Sequence, residues 1–355
     1  QGPRGSRYTG WAPQPCSGGG PPGRMIHAPR LRPLLKRGAL VTAANWPLVI
    51  IQLAADSTFK IVLAVPVIGG AFLVGAAAGG DFSEVLTGDL RQIVSSTLDA
   101  LMAEPMALVA FVLAFGLVLV GGSALMFLIK GGTVTILALA EGTAGPIERP
   151  PLRLSQVAGA SRFDVETFLA GSGHLGRRYL VLGGALLVVY GISGGLYLLL
   201  LVDAFRVSET PGVRLGWTLV TVLASGAFLA WITLVNLIYL LMQMVMAVDD
   251  CGVRAAGRRV LRFLGASLAD VAGVFGVVFV LVILATLASV LAAAGLGLIA
   301  FVPFFGLLVF PLQIAAWILR GILFQYLGLT ALGAYLSRYR AYRRQASVST
   351  WERTA

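Results

Sequence analysis

The chain reads as an all-α, polytopic membrane protein: six transmembrane helices in three hairpins, joined on one side by amphipathic connecting helices. Three observations predict this fold class. First, 57% of the 355 residues are hydrophobic and 12% are charged, with a mean hydropathy of +0.87, whereas about a quarter of residues are charged in soluble domains. A water-soluble core could not hide that much apolar surface, so the bilayer has to be the solvent for most of it. Second, six apolar stretches are each long enough to cross about 30 Å of hydrocarbon, which takes about 20 helical residues. Third, of 27 Lys and Arg, 21 fall in four segments that alternate with those stretches, which is the positive-inside pattern.

The elements follow in order. A Gly-, Pro- and Ser-rich stretch precedes Met25, and residues 1–28 are expected to be a disordered or non-native extension. Residues 29–345 form the six-span domain. A basic segment at about 29–46 leads into a first span near 47–78, where Pro66 is a candidate kink. The link over 79–105 is acidic, with Asp81, Glu84, Asp89, Asp99 and Glu104 against Arg91. A second span near 106–138 contains the Gly131-Gly132 pair, a candidate break.

Residues 139–178 carry Arg149, Arg153, Arg162, Arg177 and Arg178, and end in an amphipathic segment at about 160–178. Spans near 179–202 and 215–247 flank a link whose basic residues are Arg206 and Arg214. The basic segment at 251–270 is the clearest amphipathic one. On a helical wheel, Val253, Ala256, Val260, Leu261, Leu264 and Leu268 share one arc, opposite Arg254, Arg258, Arg259 and Arg262. Such a helix is expected in the inner interface with its arginines on anionic lipid headgroups, although a plain connector obeying the charge rule has the same pattern. Spans near 272–297 and 301–336 follow, with Pro303 and Pro311 as candidate kinks. The segment after the last span carries Arg338, Arg340, Arg343, Arg344 and Arg353, read as orientation charges, and residues 346–355 are expected to be a cytoplasmic tail. Every odd-numbered connecting segment is basic, which places both termini in the cytoplasm.

The same composition excludes several functions. The basic residues sit beside apolar spans and are not interleaved with stacking aromatics on a folded module, so the implied partner is a bilayer with anionic headgroups and not nucleic acid. Cys16 and Cys251 make no disulfide framework or metal spacing, and His27 and His174 are the whole histidine supply. No metal or other cofactor is expected. Gly191-Ile192-Ser193-Gly194 matches the GxSG of rhomboid intramembrane proteases, but no histidine follows His174 to take the serine proton. Gly191 with Gly195, Gly75 with Gly79, and Gly273 with Gly276 read instead as small-residue faces for helix packing, within the chain or with membrane-protein partners or a second copy. Met244 falls on a different helical face from Met242 and Met246, which argues against a methionine metal box.

Ionisable residues inside spans are functional candidates by default, because each is costly in hydrocarbon. Four occur: Asp56 and Lys60 in the first span, Lys130 in the second and Arg320 in the sixth. Asn236 lies at a comparable depth. Two readings stay open. The cluster Asp56, Lys60, Lys130, Asn236 and Arg320 binds an anion, or Asp56 pairs with a lysine as structural glue while the other cations snorkel to the headgroups.

Certain helix-boundary residues carry a resemblance. They are Asn45-Trp46-Pro47-Leu48, Gly131-Gly132-Thr133-Val134, Phe163 to Arg178, and the run from Val248-Asp249-Asp250 through Ala255, Ala256 and Leu261. On these the chain resembles, over roughly residues 30–345, a group of bacterial six-helix membrane proteins. That group is similar to the membrane domain fused to some glycerophosphodiester phosphodiesterases. The resemblance implies an all-helical integral membrane domain with no established activity. The phosphodiesterase activity is not carried over, since the catalytic barrel, its acidic metal ligands and its histidines have no counterpart in this sequence. With no catalytic constellation found, a non-enzymatic protein of a bacterial inner membrane is expected. The expected function is non-enzymatic handling of lipids or envelope components, or scaffolding of a membrane complex. The alternative is a transporter or permease subunit for an anionic substrate.

Overall fold

The computed structural model describes residues 31–77, 105–151, 154–207, 211–300 and 305–354. The expected extension over 1–28 and nearly all of the 79–105 link lie outside them. Eight helices are present among the described residues: α1 (Leu31–Ala44), α2 (Pro47–Ala77), α3 (Pro105–Thr143), α4 (Leu154–Gly159), α5 (Val165–Val207), α6 (Pro211–Asp249), α7 (Val253–Ala300) and α8 (Phe305–Thr354). Six of them, α2, α3 and α5 to α8, are long and apolar enough to cross a membrane. The protein is a polytopic helical membrane protein.

Local chemistry fixes several helix ends. Pro47, Pro105 and Pro211 open α2, α3 and α6, a position where the missing N–H costs nothing. The turn between α1 and α2 is held by Asn45, which is fully buried. Its amide nitrogen donates to the Val41 and Ala160 carbonyls at 2.9 and 3.2 Å, and its oxygen accepts from the Arg162 backbone N–H at 2.8 Å. One side chain thus ties the first helical turn to the loop before α5. Asp164 caps α5 by accepting from the Thr167 N–H and hydroxyl, both at 3.0 Å. The backbone bond from Thr167 holds the Asp164 carboxyl below its ordinary value.

The boundaries differ from the sequence expectation in instructive ways. The amphipathic segments at 160–178 and 251–270 are mostly the first turns of span helices α5 and α7, because no proline or cap separates them from the apolar run. α7 bends instead at Ser267, where the backbone leaves helical geometry (φ −139°, ψ 27°). Of the three amphipathic segments only the first forms a separate connecting helix, α1, and the short α4 is the other described helix outside the spans. α8 continues to Thr354, so the 346–355 tail is helical up to its last described residue. Pro66 and Pro311 sit within continuous helices, and Pro303 lies outside the described residues.

Gly131-Gly132 does not break α3. A Cβ added to Gly132 would lie 2.5 Å from Ser172 Oγ and 2.7 Å from the Phe168 ring, so the pair serves close approach to α5. The closest backbone contact joins α1 to α8, where a Cβ on Gly333 would sit 3.0 Å from Gly38 Cα. Gly191 and Gly195 meet no described atom within 4 Å, so the expected packing face is not used within the described chain.

Packing is concentrated at one end. α3 lies along α5, α1 against α8, and α7 along α8. The buried residues gather where the arginines are: Leu48 on α2, Ile136 and Leu137 on α3, Tyr179 on α5, Met244 and Met246 on α6, Phe263 on α7, and Leu336 and Tyr339 on α8. Toward the opposite end the helices present Ile61, Val65, Leu113, Leu117, Leu198, Leu223 and Leu291 to their surroundings. That is the pattern expected where hydrocarbon covers the helices.

Candidate functional site

At the basic end the C-terminal helix acts as a clasp. Arg338 pairs with Asp270 of α7 at 2.7 Å, Arg340 with Glu141 of α3 at 2.7 Å, and Arg343 with Asp249 of α6. Glu141 also receives Arg37 of α1 at 3.1 Å and the Ser337 hydroxyl at 3.1 Å. Asp249 takes Arg259 and the Tyr339 hydroxyl, each at 2.6 Å. Glu148 takes Arg37 at 2.9 Å, and Asp250 takes His174 at 2.9 Å together with Arg178. Five carboxylates at this end are therefore already neutralised by this chain's own cations. Cys251 is buried beside them, and burial pushes its thiol up, which leaves little thiolate for chemistry.

Two groups stand out among the described cations at this end. Arg37, Arg178, Arg259, Arg338, Arg340 and Arg343 are spent on internal pairs. Arg254, Arg258 and Arg262 are exposed along one side of α7 and meet no carboxylate among the described residues. The α7 surface consequently has three parts. Ala256, Val260 and Phe263 face the protein core, the three free arginines form the polar face, and the exposed Leu261 and Leu268 lie between. Of the four arginines assigned to headgroups from sequence, Arg259 is the one the structure pairs inside the protein.

Next to this packed end lies a cavity of about 430 Å³ between α6, α7 and α8, with its floor formed by α2 and α3. Its polar lining includes Gln52, Lys130, Asn236, Tyr239, Gln243 and Gln325, and its α7 wall is Phe275, Val278, Phe279 and Val282. Gln52 is satisfied by the Thr133 hydroxyl at 2.6 Å. Asn236 accepts from the Tyr190 hydroxyl through its oxygen at 2.6 Å. The Tyr239 hydroxyl and the Gln243 amide nitrogen are buried without a hydrogen-bond partner among the described residues. Among the described residues Lys130 is the only charged side chain in the lining. Its ammonium lies over the Tyr239 ring, 5.3 Å from the centroid, and meets no carboxylate or hydrogen-bond acceptor among the described residues.

The five residues grouped from sequence do not converge. Lys130 and Asn236 line the cavity. Asp56 and Lys60 close on one another at 2.6 Å on α2, with Lys60 64% exposed; Asp56 still exerts an electrostatic pull on Lys130. Arg320 is exposed on α8 over the Phe324 ring at 5.6 Å, apart from the cavity. Depth along a span is readable from sequence, but helix rotation decides which charges share a space. Gln52, Gln243 and Gln325 also line the cavity, and charge inside a span does not single them out. Their signal in the sequence is an uncharged polar residue within an apolar run, the signal that Asn236 also carries.

Other motif residues have structural partners. Ser193 accepts from the Trp231 indole at 2.9 Å, and Met244 and Met246 are fully buried core residues. Among the described residues no group of three or more His, Cys, Asp or Glu is placed to hold a metal ion. The chain matches no known family model, no curated protein and no solved structure.

Proposed function

We propose that this is a non-enzymatic protein of a bacterial inner membrane that handles anionic lipid at the cytoplasmic leaflet, with its basic end and both termini in the cytoplasm. One observation carries the reading. The carboxylates Glu141, Glu148, Asp249, Asp250 and Asp270 are all consumed by internal pairs, while Arg254, Arg258 and Arg262 on α7 meet no carboxylate among the described residues and stand beside exposed Leu261 and Leu268. An uncompensated arginine row next to apolar side chains suits the boundary between headgroups and acyl chains. Each arginine near an anionic surface contributes about 1 kcal/mol. A transporter of an anionic substrate is the second reading, favoured by the cavity that holds Lys130. It further requires that cavity to open in turn to both sides of the membrane.

The test is the lipid that purifies with the protein. The native chain is expected to retain anionic over zwitterionic phospholipid relative to the source membrane. Changing Arg254, Arg258 and Arg262 together to Gln should lower that preference at least several-fold. Equal retention by the native and triple-substituted proteins would remove the lipid-handling reading.

A further inference from the structure

We propose that the cavity between α6, α7 and α8 binds an oxyanion, a phosphate or carboxylate carried on an acyl chain, with Lys130 as its counter-charge. The argument starts from the ammonium. Lys130 lies in a membrane span, where a charged side chain is retained when it is paired or lines a polar cavity. Asp56, the acidic side chain that acts on it electrostatically, is already closed on Lys60 at 2.6 Å. The Tyr239 ring attracts the cation but offers it no formal charge. A negative group inside the cavity supplies what the protein withholds.

The surroundings fit that group. Tyr239 and Gln243 are 6% and 1% exposed, and each buries a hydrogen-bond donor with no acceptor among the described residues. Unmade buried hydrogen bonds are costly and rare, so two beside one unpaired cation form a donor set awaiting an acceptor-rich ligand. Asn236 uses its oxygen on Tyr190, which leaves its amide hydrogens as further donors. The opposite wall is apolar, and Phe279 on it is 46% exposed, so an acyl chain along this wall would run from the cavity onto a surface that hydrocarbon covers. A volume of about 430 Å³ falls in the ordinary range of ligand sites. Oxygens facing Lys130 and a chain passing Phe279 is the arrangement these walls accept.

This inference takes only the acyl chain from the lipid-handling reading; the anion seat stands on the cavity itself. The full-length protein in neutral detergent is titrated with three probes: dioctanoyl phosphatidic acid, dioctanoyl phosphatidylcholine and inorganic phosphate. The native protein is expected to bind phosphatidic acid most tightly. Lys130→Met should weaken that binding at least tenfold, Lys130→Arg should restore most of it, and phosphatidylcholine binding should not change. Tyr239→Phe removes a hydroxyl that bonds to no described residue. It should leave the melting temperature unchanged while weakening phosphatidic acid binding several-fold, and so serves if Lys130→Met does not fold.

Phosphatidic acid binding unaltered by both Lys130→Met and Tyr239→Phe would overturn the site. If that binding fell instead on loss of Arg254, Arg258 and Arg262, lipid handling would survive and the cavity would not. Inorganic phosphate binding as tightly as phosphatidic acid, still dependent on Lys130, would overturn the acyl chain in the cavity, and the lipid-handling reading would then stand or fall on its own lipid-retention test. No binding of any probe to the native protein would overturn both parts of the inference.

Discussion

Asp250 shows how much a single residue does at the basic end. It follows α6 with φ at 46°, the left-handed conformation that commonly terminates a helix, and so turns its carboxylate toward α5. The hydrogen bond from His174 holds that carboxyl below the usual carboxylate range, and Arg178 adds to the effect. A depressed folded-state value means stability that is present above the unfolded value of about 3.9 and is lost as pH falls through the folded value. Asp250→Asn should therefore melt below the native protein at neutral pH, and the gap should close on acidification below about pH 4. Melting curves across that range check it; a gap that persists unchanged would show that Asp250 acts through its backbone conformation alone. At this scale the sequence was partly legible. Lys130 was visible as a charge in an apolar run, yet its isolation was not. The Asp56–Lys60 pair is four residues apart and follows from helix periodicity, whereas the gap between Lys130 and Arg320 depends on how α3 and α8 are rotated.

Among the elements, α8 has the largest structural role. Its arginines reach carboxylates on α7, α3 and α6, and Glu141 is the point where α1, α3 and α8 meet. Glu141 is nearly fully buried and holds Arg37 and Arg340 together. Removing one member of a buried ionic group strands the others and costs about 3 kcal/mol or more. Glu141→Gln should accordingly give a marked fall in melting temperature in detergent, larger than that of Ser337→Ala, which deletes only a hydroxyl contact. Comparable small effects from both would show that the clasp is not what holds α8. The helices themselves were legible because apolar runs of this length allow little else. The clasp was not. Arg338 and Arg343 were read as orientation charges, because their partners lie 68 and 94 residues away in sequence. Local periodicity also hid the continuity of the 160–178 and 251–270 segments with α5 and α7, since an amphipathic segment and an apolar one join smoothly when no breaker separates them.

Across the whole molecule, burial and charge are sorted to the same end. The protein packs tightly where its cations and carboxylates interlock and exposes apolar helix surface elsewhere, so its cohesion is ionic and interhelical at one end and supplied by lipid at the other. Charge alternation made the six spans and their direction readable as an expectation. It could not reveal the cavity, which exists only once α6, α7 and α8 are brought together. The proposed function depends on the basic end, with Arg254, Arg258, Arg262 and the cavity wall at Phe279, facing the leaflet on the cytoplasmic side. That claim is tested most directly by labelling single cysteines in intact cells with a membrane-impermeant thiol reagent, after Cys16 and Cys251 have been replaced by serine. Ser95→Cys and Ser208→Cys, in the links after α2 and α5, should react from outside, and Ser161→Cys, before α5, should react only once the membrane is opened. Reaction of Ser161→Cys in intact cells, with Ser95→Cys and Ser208→Cys protected, would contradict the account.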